Sequence, residues 1–363
     1  MSALTIAERI AAEFDVGPRV EVAICCGDEV VEHSVHSDAS VRRSNVGQGS
    51  LFSGVCLTKP IVIGALCSAI LDSEASIDSP MRQVLPSLGG TETGELTLRM
   101  VVNHEAGQVA PALDDLMTMR RERLMDLAYD LGAGLVPLSN ERRSYSQVSA
   151  VGLLAHAAEV CTGVSASEVI QTRIAASGLD ELLVFSISDS SAEGMIDRMG
   201  LHYVEAFAGP WVPMIHELVP AHIAWLDSPI VGGAASVEGM ARWYSHVLLA
   251  LSGEAQPDVL PPGVLDEVLK EPRSGDRPAD PTLGRPAMFR AGFMVELADH
   301  GYGSAPSDAA VGHSGWCGRS FAWCDPTAGY SACCWISGVR FDGPAFSPIR
   351  ARIVDLISAS VAA

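Results

Sequence analysis

The apolar positions divide the chain into strand-like ends and a helix-like middle. Near both ends, short apolar runs containing β-branched, aromatic or cysteine residues are bounded by turn residues, a pattern typical of strands. The predicted strands are residues 20–26, 29–35, 289–297, 320–324 and 329–337. Elsewhere, apolar residues recur at helical spacing. The predicted helices are residues 1–15, 56–70, 96–103, 113–131, 145–161, 165–177, 236–251 and 347–360.

This order of elements predicts an α+β protein. Because strands come from both ends of the chain, the economical arrangement is one antiparallel sheet built from the N- and C-terminal segments and flanked by the terminal helices. Residues 1–58 and 285–363 would form this sheet domain, and residues 59–284 would form a mostly α-helical inserted domain. Proline and glycine are frequent between residues 256 and 286, so we expect a long loop there.

Composition narrows the possible partners and location. The 363 residues are 48% hydrophobic and 19% charged, which is enough for a large core. A net charge of −20 argues against nucleic acid or an anionic membrane as partner, because both are polyanions. The longest apolar run, residues 60–70, is too short to span a bilayer, and the N-terminus lacks the pattern of a signal peptide. We therefore expect a cytoplasmic protein whose nine cysteines are reduced thiols.

Neither a metal nor a cofactor is expected. Cys317 and Cys324 lack the spacing of zinc ligands, and no histidine-rich segment lies near them. The sequence also contains no glycine-rich phosphate-binding loop. The chemistry is therefore expected to rest on side chains alone.

One pair of residues carries a chemical signal of its own. Cys56 and Lys59 stand three positions apart at the head of an apolar helix, so their side chains share one face, one turn apart. A lysine beside an apolar surface is pushed toward its neutral form and can take a proton from its neighbour. Ser-x-x-Lys is an acylation motif, and here cysteine stands in place of the serine.

Three further segments follow this pair in a recognisable order. The four segments are Phe52 to Lys59 (compare Phe-x-x-x-Ser-x-x-Lys), residues 96–107 (compare Ile-Thr-Leu-Arg-His-Leu-Leu-x-His-Thr-Ser-Gly), Tyr145-Ser146-Gln147 (compare Tyr-x-Asn) and His313-Ser314-Gly315-Trp316 (compare Lys-Thr-Gly or His-Thr/Ser-Gly). With a Gly-Gly pair at residues 232–233, the chain resembles the serine β-lactamase and penicillin-binding-protein superfamily. The likeness is to its class C β-lactamase and family VIII carboxylesterase branch, over roughly residues 18–340.

The resemblance implies a β-lactamase-like fold with the active site between the two domains. Cys56 would be the nucleophile that forms a covalent acyl-enzyme, Lys59 would accept the thiol proton, and Tyr145 would pass a proton to the leaving group. The backbone N–H groups of Cys56 and Trp316 would form the oxyanion hole. The implied substrate-binding residues are Gln147, His313, Ser314, Gly315 and Trp316.

Two substrate-binding positions depart from the family pattern. Gln147 replaces an asparagine and carries its amide on a stem one methylene longer. His313 replaces a permanently charged lysine, and a histidine with a reference pKa of about 6.5 offers at most a fractional charge. This weakens the case for β-lactam or peptidyl-carboxylate substrates and favours neutral esters or amides.

The cysteine itself favours transfer over hydrolysis. A free thiol has a pKa near 8.5, and a helix N-terminus or a neighbouring cation would lower it further. The acyl intermediate would be a thioester, which reacts readily with amines compared with water. The leading hypothesis is an intracellular acyltransferase that moves an acyl group from a small ester or thioester to an amine, as in the tailoring of a specialised metabolite.

Two alternatives stay open. The first is an esterase or amidase, a β-lactamase-like hydrolase with water as acceptor. The second is a catalytically silent binding protein, which the departures at Cys56 and Gln147 suggest. For the two enzyme hypotheses the expected partners are a small-molecule acyl donor and an amine or water acceptor, and the sequence gives no indication of the oligomeric state.

Overall fold

The computed structural model describes most of the chain, and the fold is α+β as expected. The described residues are 4–38, 47, 49–107, 121–138, 144–146, 148–205, 211–214, 226–254, 260–270, 279–315, 318–340 and 346–362. The strands are β1 Arg19–Cys26, β2 Glu29–Ser37, β3 Leu51–Ser53, β4 Ala106–Gly107, β5 Val136–Pro137, β6 Leu183–Val184, β7 Tyr203–Glu205, β8 Trp211–Pro213, β9 Ala234–Ser236, β10 Met288–Arg290, β11 Phe293–Val295, β12 Val311–Gly315, β13 Ser320–Asp325, β14 Tyr330–Ile336 and β15 Gly338–Val339.

The helices fall mostly between the two groups of long strands. They are α1 Ile6–Glu13, α2 Lys59–Leu71, α3 Met81–Val84, α4 Glu92–Glu95, α5 Leu98–Val102, α6 Arg121–Ala133, α7 Ser149–Thr162, α8 Ala166–Ala176, α9 Asp189–Met195, α10 Val237–Leu251, α11 Pro262–Val268 and α12 Ser347–Val361, with 3₁₀ turns at Val55–Thr58 and Pro86–Leu88. The predicted helix at 113–131 is confirmed from 121 onward; residues 108–120 lie outside the described residues.

A seven-stranded sheet joins the two ends of the chain. Its order is β10-β11-β12-β13-β14-β1-β2, and every neighbouring pair is antiparallel. The N-terminal hairpin therefore pairs with the last long strand, with Val20 opposite Ile336. This confirms the predicted sheet built from both termini.

Helices cover both faces of this sheet. Ile6 and Ile10 of α1 and Ile353 of α12 are buried in one apolar cluster with Trp323 of β13. On the other face, α10 packs against β1, β13 and β14. Because both faces are covered, all residues of β13 and β14 are buried, which explains their continuous apolar runs.

The predicted strand 289–297 is wrong in one respect, since it is two strands. The chain turns at Ala291 and Gly292, whose φ angles are 47° and 82°. A Cβ on Gly292 would lie 2.7 Å from Ile63 Cδ1, so the turn packs directly on α2. All six strand residues are buried, including Arg290, so the two strands read as one in the sequence.

Between residues 59 and 284 the described elements are mostly helices, and short strands connect them to the ends of the chain. β3 pairs with β9, and β15 pairs with β7. Where one domain ends and the other begins stays a prediction.

Among the described residues, no single helix is long and apolar enough to cross a membrane. The helices α7 and α8 would pass such a test only when taken together, and they meet at an angle of 80°.

Candidate active site

The candidate nucleophile lies in a tight turn and not in the helix that follows. Cys56 belongs to the 3₁₀ turn Val55–Thr58, and α2 begins only at Lys59, one turn later than predicted. Val55 has a φ of 43°, a left-handed conformation that is rare for a β-branched residue and costs on the order of 1–3 kcal/mol. Cys56 is half-buried, while Lys59 is only 1% exposed.

The Gly232-Gly233 pair holds this turn in place. Thr58 Oγ1 donates to the Gly232 carbonyl oxygen at 2.6 Å, and the Gly54 N–H donates to the Gly233 carbonyl oxygen at 3.0 Å. Both glycines of the pair have positive φ, and a Cβ on Gly232 would lie 2.0 Å from Thr58 Oγ1. A side chain at position 232 would therefore force the two segments apart.

The Lys59 amine is buried and donates a hydrogen bond to a backbone carbonyl oxygen. Its Nζ donates to the Ile230 carbonyl oxygen at 2.5 Å. Burial lowers the pKa of Lys59 to about 8, against the opposing effect of the Cys56 thiolate. A measurable fraction of the amine is therefore neutral at physiological pH and able to accept a proton.

The pKa of the Cys56 thiol differs from the sequence expectation. Burial raises the pKa of Cys56 above its ordinary value, and the opposing effects of Lys59, the Tyr145 hydroxyl and the backbone N–H of Cys56 do not cancel it. The expected lowering of this pKa is thus wrong, because desolvation of the thiolate outweighs the nearby cation. The Cys56 side chain is therefore a protonated thiol at rest.

Tyr145 lies beside Cys56 and Lys59, in the loop before α7. The prediction that the helix begins at Tyr145 is therefore wrong. Its ring stacks on Phe289 at 5.1 Å and meets His104 edge-on at 5.0 Å. Burial and then the charge of a Cys56 thiolate raise the pKa of Tyr145 well above 10. The phenol therefore keeps its proton, and it lies within hydrogen-bonding reach of the Cys56 sulfur.

The strand β12 brings His313, Ser314 and Gly315 to the 3₁₀ turn that contains Cys56. A Cβ on Gly315 would lie 2.9 Å from the Leu57 backbone nitrogen, so the strand touches the turn directly. Ser314 is partly exposed, whereas His313 is fully buried with its ring 5.9 Å from that of Tyr145. The His313 ring thus packs behind the phenol.

The imidazole of His313 is neutral at physiological pH. Its Nδ1 lies 3.0 Å from the Ser314 carbonyl oxygen, and an oxygen acceptor there requires the N–H form of Nδ1. Burial lowers the pKa of His313 to about 3, and the nearby charge of Lys59 lowers it further, against this hydrogen bond. No charge is therefore available at this position to bind a substrate carboxylate.

The structure brings together six of the predicted site residues: Cys56, Lys59, Tyr145, His313, Ser314 and Gly315. Gln147 and Trp316 lie outside the described residues, so their predicted roles in substrate binding and in the oxyanion hole remain predictions. Within the described part of the chain, no three His, Cys, Asp or Glu side chains are grouped as metal ligands would be.

Sequence reasoning missed Asp280, which contacts the Tyr145 loop. Its Oδ2 accepts the Tyr145 N–H at 2.8 Å, and its side chain is buried. The sequence Asp280-Pro281 marks a turn, since Asp before Pro favours turn formation. That signal predicts the local turn and says nothing of a partner 135 residues away.

Comparisons with known proteins bear on the family and on the fold. The sequence profile described as "Beta-lactamase" matches residues 8–350. No curated protein sequence matches the chain.

Three similar solved structures share the fold. A penicillin-binding-protein homologue from Caulobacter crescentus is 20% identical, with a TM-score of 0.67 over 99% of both chains. A family VIII carboxylesterase is 18% identical, with a TM-score of 0.69 over 97% of this chain and 95% of its own. EstCE1, described as a hydrolase with promiscuous acyltransferase activity, is 13% identical, with a TM-score of 0.64 over 97% and 96%.

Proposed function

The chain belongs to the beta-lactamase family, and from this premise we propose that it is an acyltransferase that works through an acyl-Cys56 intermediate. It would take an acyl group from a small ester or thioester and deliver it to an amine, in the biosynthesis of a specialised metabolite. Hydrolases and acyltransferases both occur in this family. The observation that carries the proposal is a cysteine thiol beside a buried lysine whose pKa is about 8.

In the acylation step, the neutral Lys59 amine takes the proton of the Cys56 thiol while the sulfur attacks the donor carbonyl. The carbon–sulfur bond forms, and the bond from the carbonyl carbon to the leaving oxygen or sulfur breaks. Tyr145 gives its proton to the leaving group and is reprotonated by the Lys59 ammonium. The leaving alcohol or thiol departs neutral, and Cys56 carries a thioester.

In the transfer step, the amine acceptor attacks this thioester. A carbon–nitrogen bond forms, the carbon–sulfur bond breaks, and the proton lost by the amine returns through Lys59 to the Cys56 sulfur. The products are an amide and the free thiol, so no oxidant or other reactant is needed. A thioester favours this outcome because amines attack it readily compared with water.

The donor is proposed to be uncharged near the reacting carbonyl. His313 stays neutral at physiological pH, so the strand that carries a lysine in other family members offers no cation here. A donor with a carboxylate at that place would lose its solvation without gaining an ion pair. A cytoplasmic location is part of the same proposal, since export would separate the enzyme from activated acyl donors.

The test is product analysis with a panel of activated esters and amines. We expect amide formation by the wild-type protein, and loss of turnover in Cys56→Ala. Cys161→Ala is a matched control, because Cys161 is also half-buried and lies on α7, away from the Lys59 amine. A Cys56→Ala protein that turns over donor at the wild-type rate would refute the proposal, and free acid as the sole product with every amine would favour the hydrolase.

A further inference from the structure

We propose that Asp280 is a positioning residue for acyl transfer and that it acts through Tyr145. The inference rests on the proposed function, because it assigns a role to the group that holds the proton-transferring phenol. It concerns a residue that no sequence motif indicated and that touches neither the sulfur nor the lysine among the described contacts.

Three consecutive backbone N–H groups of the Tyr145 segment are held from outside the segment. The Ser144 N–H donates to the His104 carbonyl oxygen at 3.0 Å, and the Ser146 N–H donates to His104 Nδ1 at 3.2 Å. Between them, the Tyr145 N–H donates to Asp280 Oδ2 at 2.8 Å. His104 and Asp280 together clamp the loop on both sides of the Tyr145 Cα.

The second oxygen of Asp280 organises its own loop. Oδ1 accepts the N–H groups of Thr282 at 2.8 Å and of Leu283 at 3.0 Å. The side chain is only 1% exposed, and burial raises its pKa, while the hydrogen bonds from Leu283, Tyr145 and Thr282 oppose that rise. A buried carboxyl group is costly unless its oxygens are all bonded, and here the bonds join two distant loops.

The ring of Tyr145 cannot correct for a displaced backbone. It is stacked on Phe289 with an angle of 21° between the planes, and the His104 ring meets it at 61°. The phenol oxygen lies about 6.5 Å from its Cα, so a tilt of about 10° at the backbone moves it by about 1 Å. A misplacement of that size can cost on the order of a hundredfold in rate.

Charge is a secondary part of the role. The groups that act electrostatically on Tyr145 are the Cys56 thiol and Asp280, and Asp280 has the smaller effect of the two on its pKa. Arg285 acts electrostatically on Asp280, and Lys59 acts on the neutral His313, whose ring lies 5.9 Å from that of Tyr145. Geometry is therefore what the experiment has to isolate.

A double-mutant cycle with Asp280→Asn and Tyr145→Phe tests the inference. Asparagine keeps the shape but offers one oxygen in place of two, and its NH₂ group faces N–H donors. In the wild-type background we expect kcat to fall about ten- to a hundredfold, with the donor KM changed less than about threefold. In the Tyr145→Phe background, the same substitution should change kcat by less than about twofold.

Asp325→Asn is the matched control. Asp325 is also 1% exposed, and its Oδ1 accepts the N–H groups of Thr327 and Ala328 in the same way, but it lies at the far end of β13. Its substitution should lower the thermal unfolding temperature about as much as Asp280→Asn and leave kcat unchanged.

Each contrary outcome has a separate meaning. An equal loss of kcat from Asp280→Asn in both backgrounds would make Asp280 merely structural and overturn the inference. No loss in the wild-type background would overturn it too, and a Tyr145→Phe protein with full activity would remove its premise. In all three cases the proposed function stands as long as the wild-type protein forms the acyl-Cys56 thioester; absence of that adduct would refute both.

Discussion

The buried lysine makes a quantitative prediction about pH. If the neutral amine of Lys59 is the base, the rate of Cys56 acylation follows its neutral fraction. With a pKa of about 8, that fraction is about 9% at pH 7, about 50% at pH 8 and about 91% at pH 9. Acylation should therefore accelerate about tenfold between pH 7 and pH 9, with a midpoint near pH 8.

The assay is the release of p-nitrophenol from a neutral p-nitrophenyl ester, followed in single turnover so that acylation is measured apart from transfer. Lys59→Met removes the base and keeps an unbranched apolar stem. It should lower the rate at pH 8 by about 10²–10³ and move the midpoint above pH 9, where the thiol ionises by itself.

Two results would refute this reasoning. A rate that is flat between pH 6.5 and pH 9 would mean that the thiol is ionised before the substrate arrives. A midpoint near pH 8 that survives in Lys59→Met would mean that another group is the base. Because thiol and amine are coupled, the midpoint belongs to the pair, and the variant is needed for the assignment.

Three further predictions concern the contact of Gly232 with the Val55–Thr58 turn, the charge of His313 and the sulfur of Cys56. Gly232→Ala should lower the free energy of unfolding in denaturant by about 2–4 kcal/mol, because its Cβ would meet Thr58. Gly253 has a similar φ of 83° but lies in open space, so Gly253→Ala should cost only about 1 kcal/mol. Equal losses from the two substitutions would contradict the clash. His313→Gln should leave the shape of the pH–rate profile between pH 5 and pH 7.5 unchanged, since the ring titrates near pH 3; a limb near pH 6.5 that disappears in the variant would contradict its neutrality. Cys56→Ser should lower the fraction of acyl groups delivered to amine relative to water, measured as the amide-to-acid ratio, and an unchanged ratio would mean that the sulfur does not favour transfer.

Much of the fold could be predicted because the strongest patterns are local. The hairpin around Gly27, the helix α10 and the strands β13 and β14 follow directly from apolar periodicity and turn residues. The single antiparallel sheet built from both ends of the chain followed from the order of elements, whereas the pairing of β1 with β14 came only from the structure. What periodicity could not show was the turn at Ala291-Gly292, because no polar loop separates the two buried strands there.

Only part of the candidate site could be predicted from the sequence. Motif order predicted Cys56, Lys59 and Tyr145 as site residues, since their spacing is a property of the chain, and the structure places the three side by side. The predicted lowering of the Cys56 pKa was wrong because the shift depends on desolvation, which is set by residues distant in sequence. Asp280 was missed for the same reason, as its contact with the Tyr145 N–H exists only after the two loops meet.

The most direct measurement is peptide mapping by mass spectrometry after brief exposure of the protein to a neutral activated ester. The acyl mass should lie on the peptide that contains Cys56, be removed by hydroxylamine, and disappear when an amine acceptor is added, with the matching amide found in solution. An acyl group on any other residue, or an unmodified Cys56 under conditions where donor is consumed, would contradict the account.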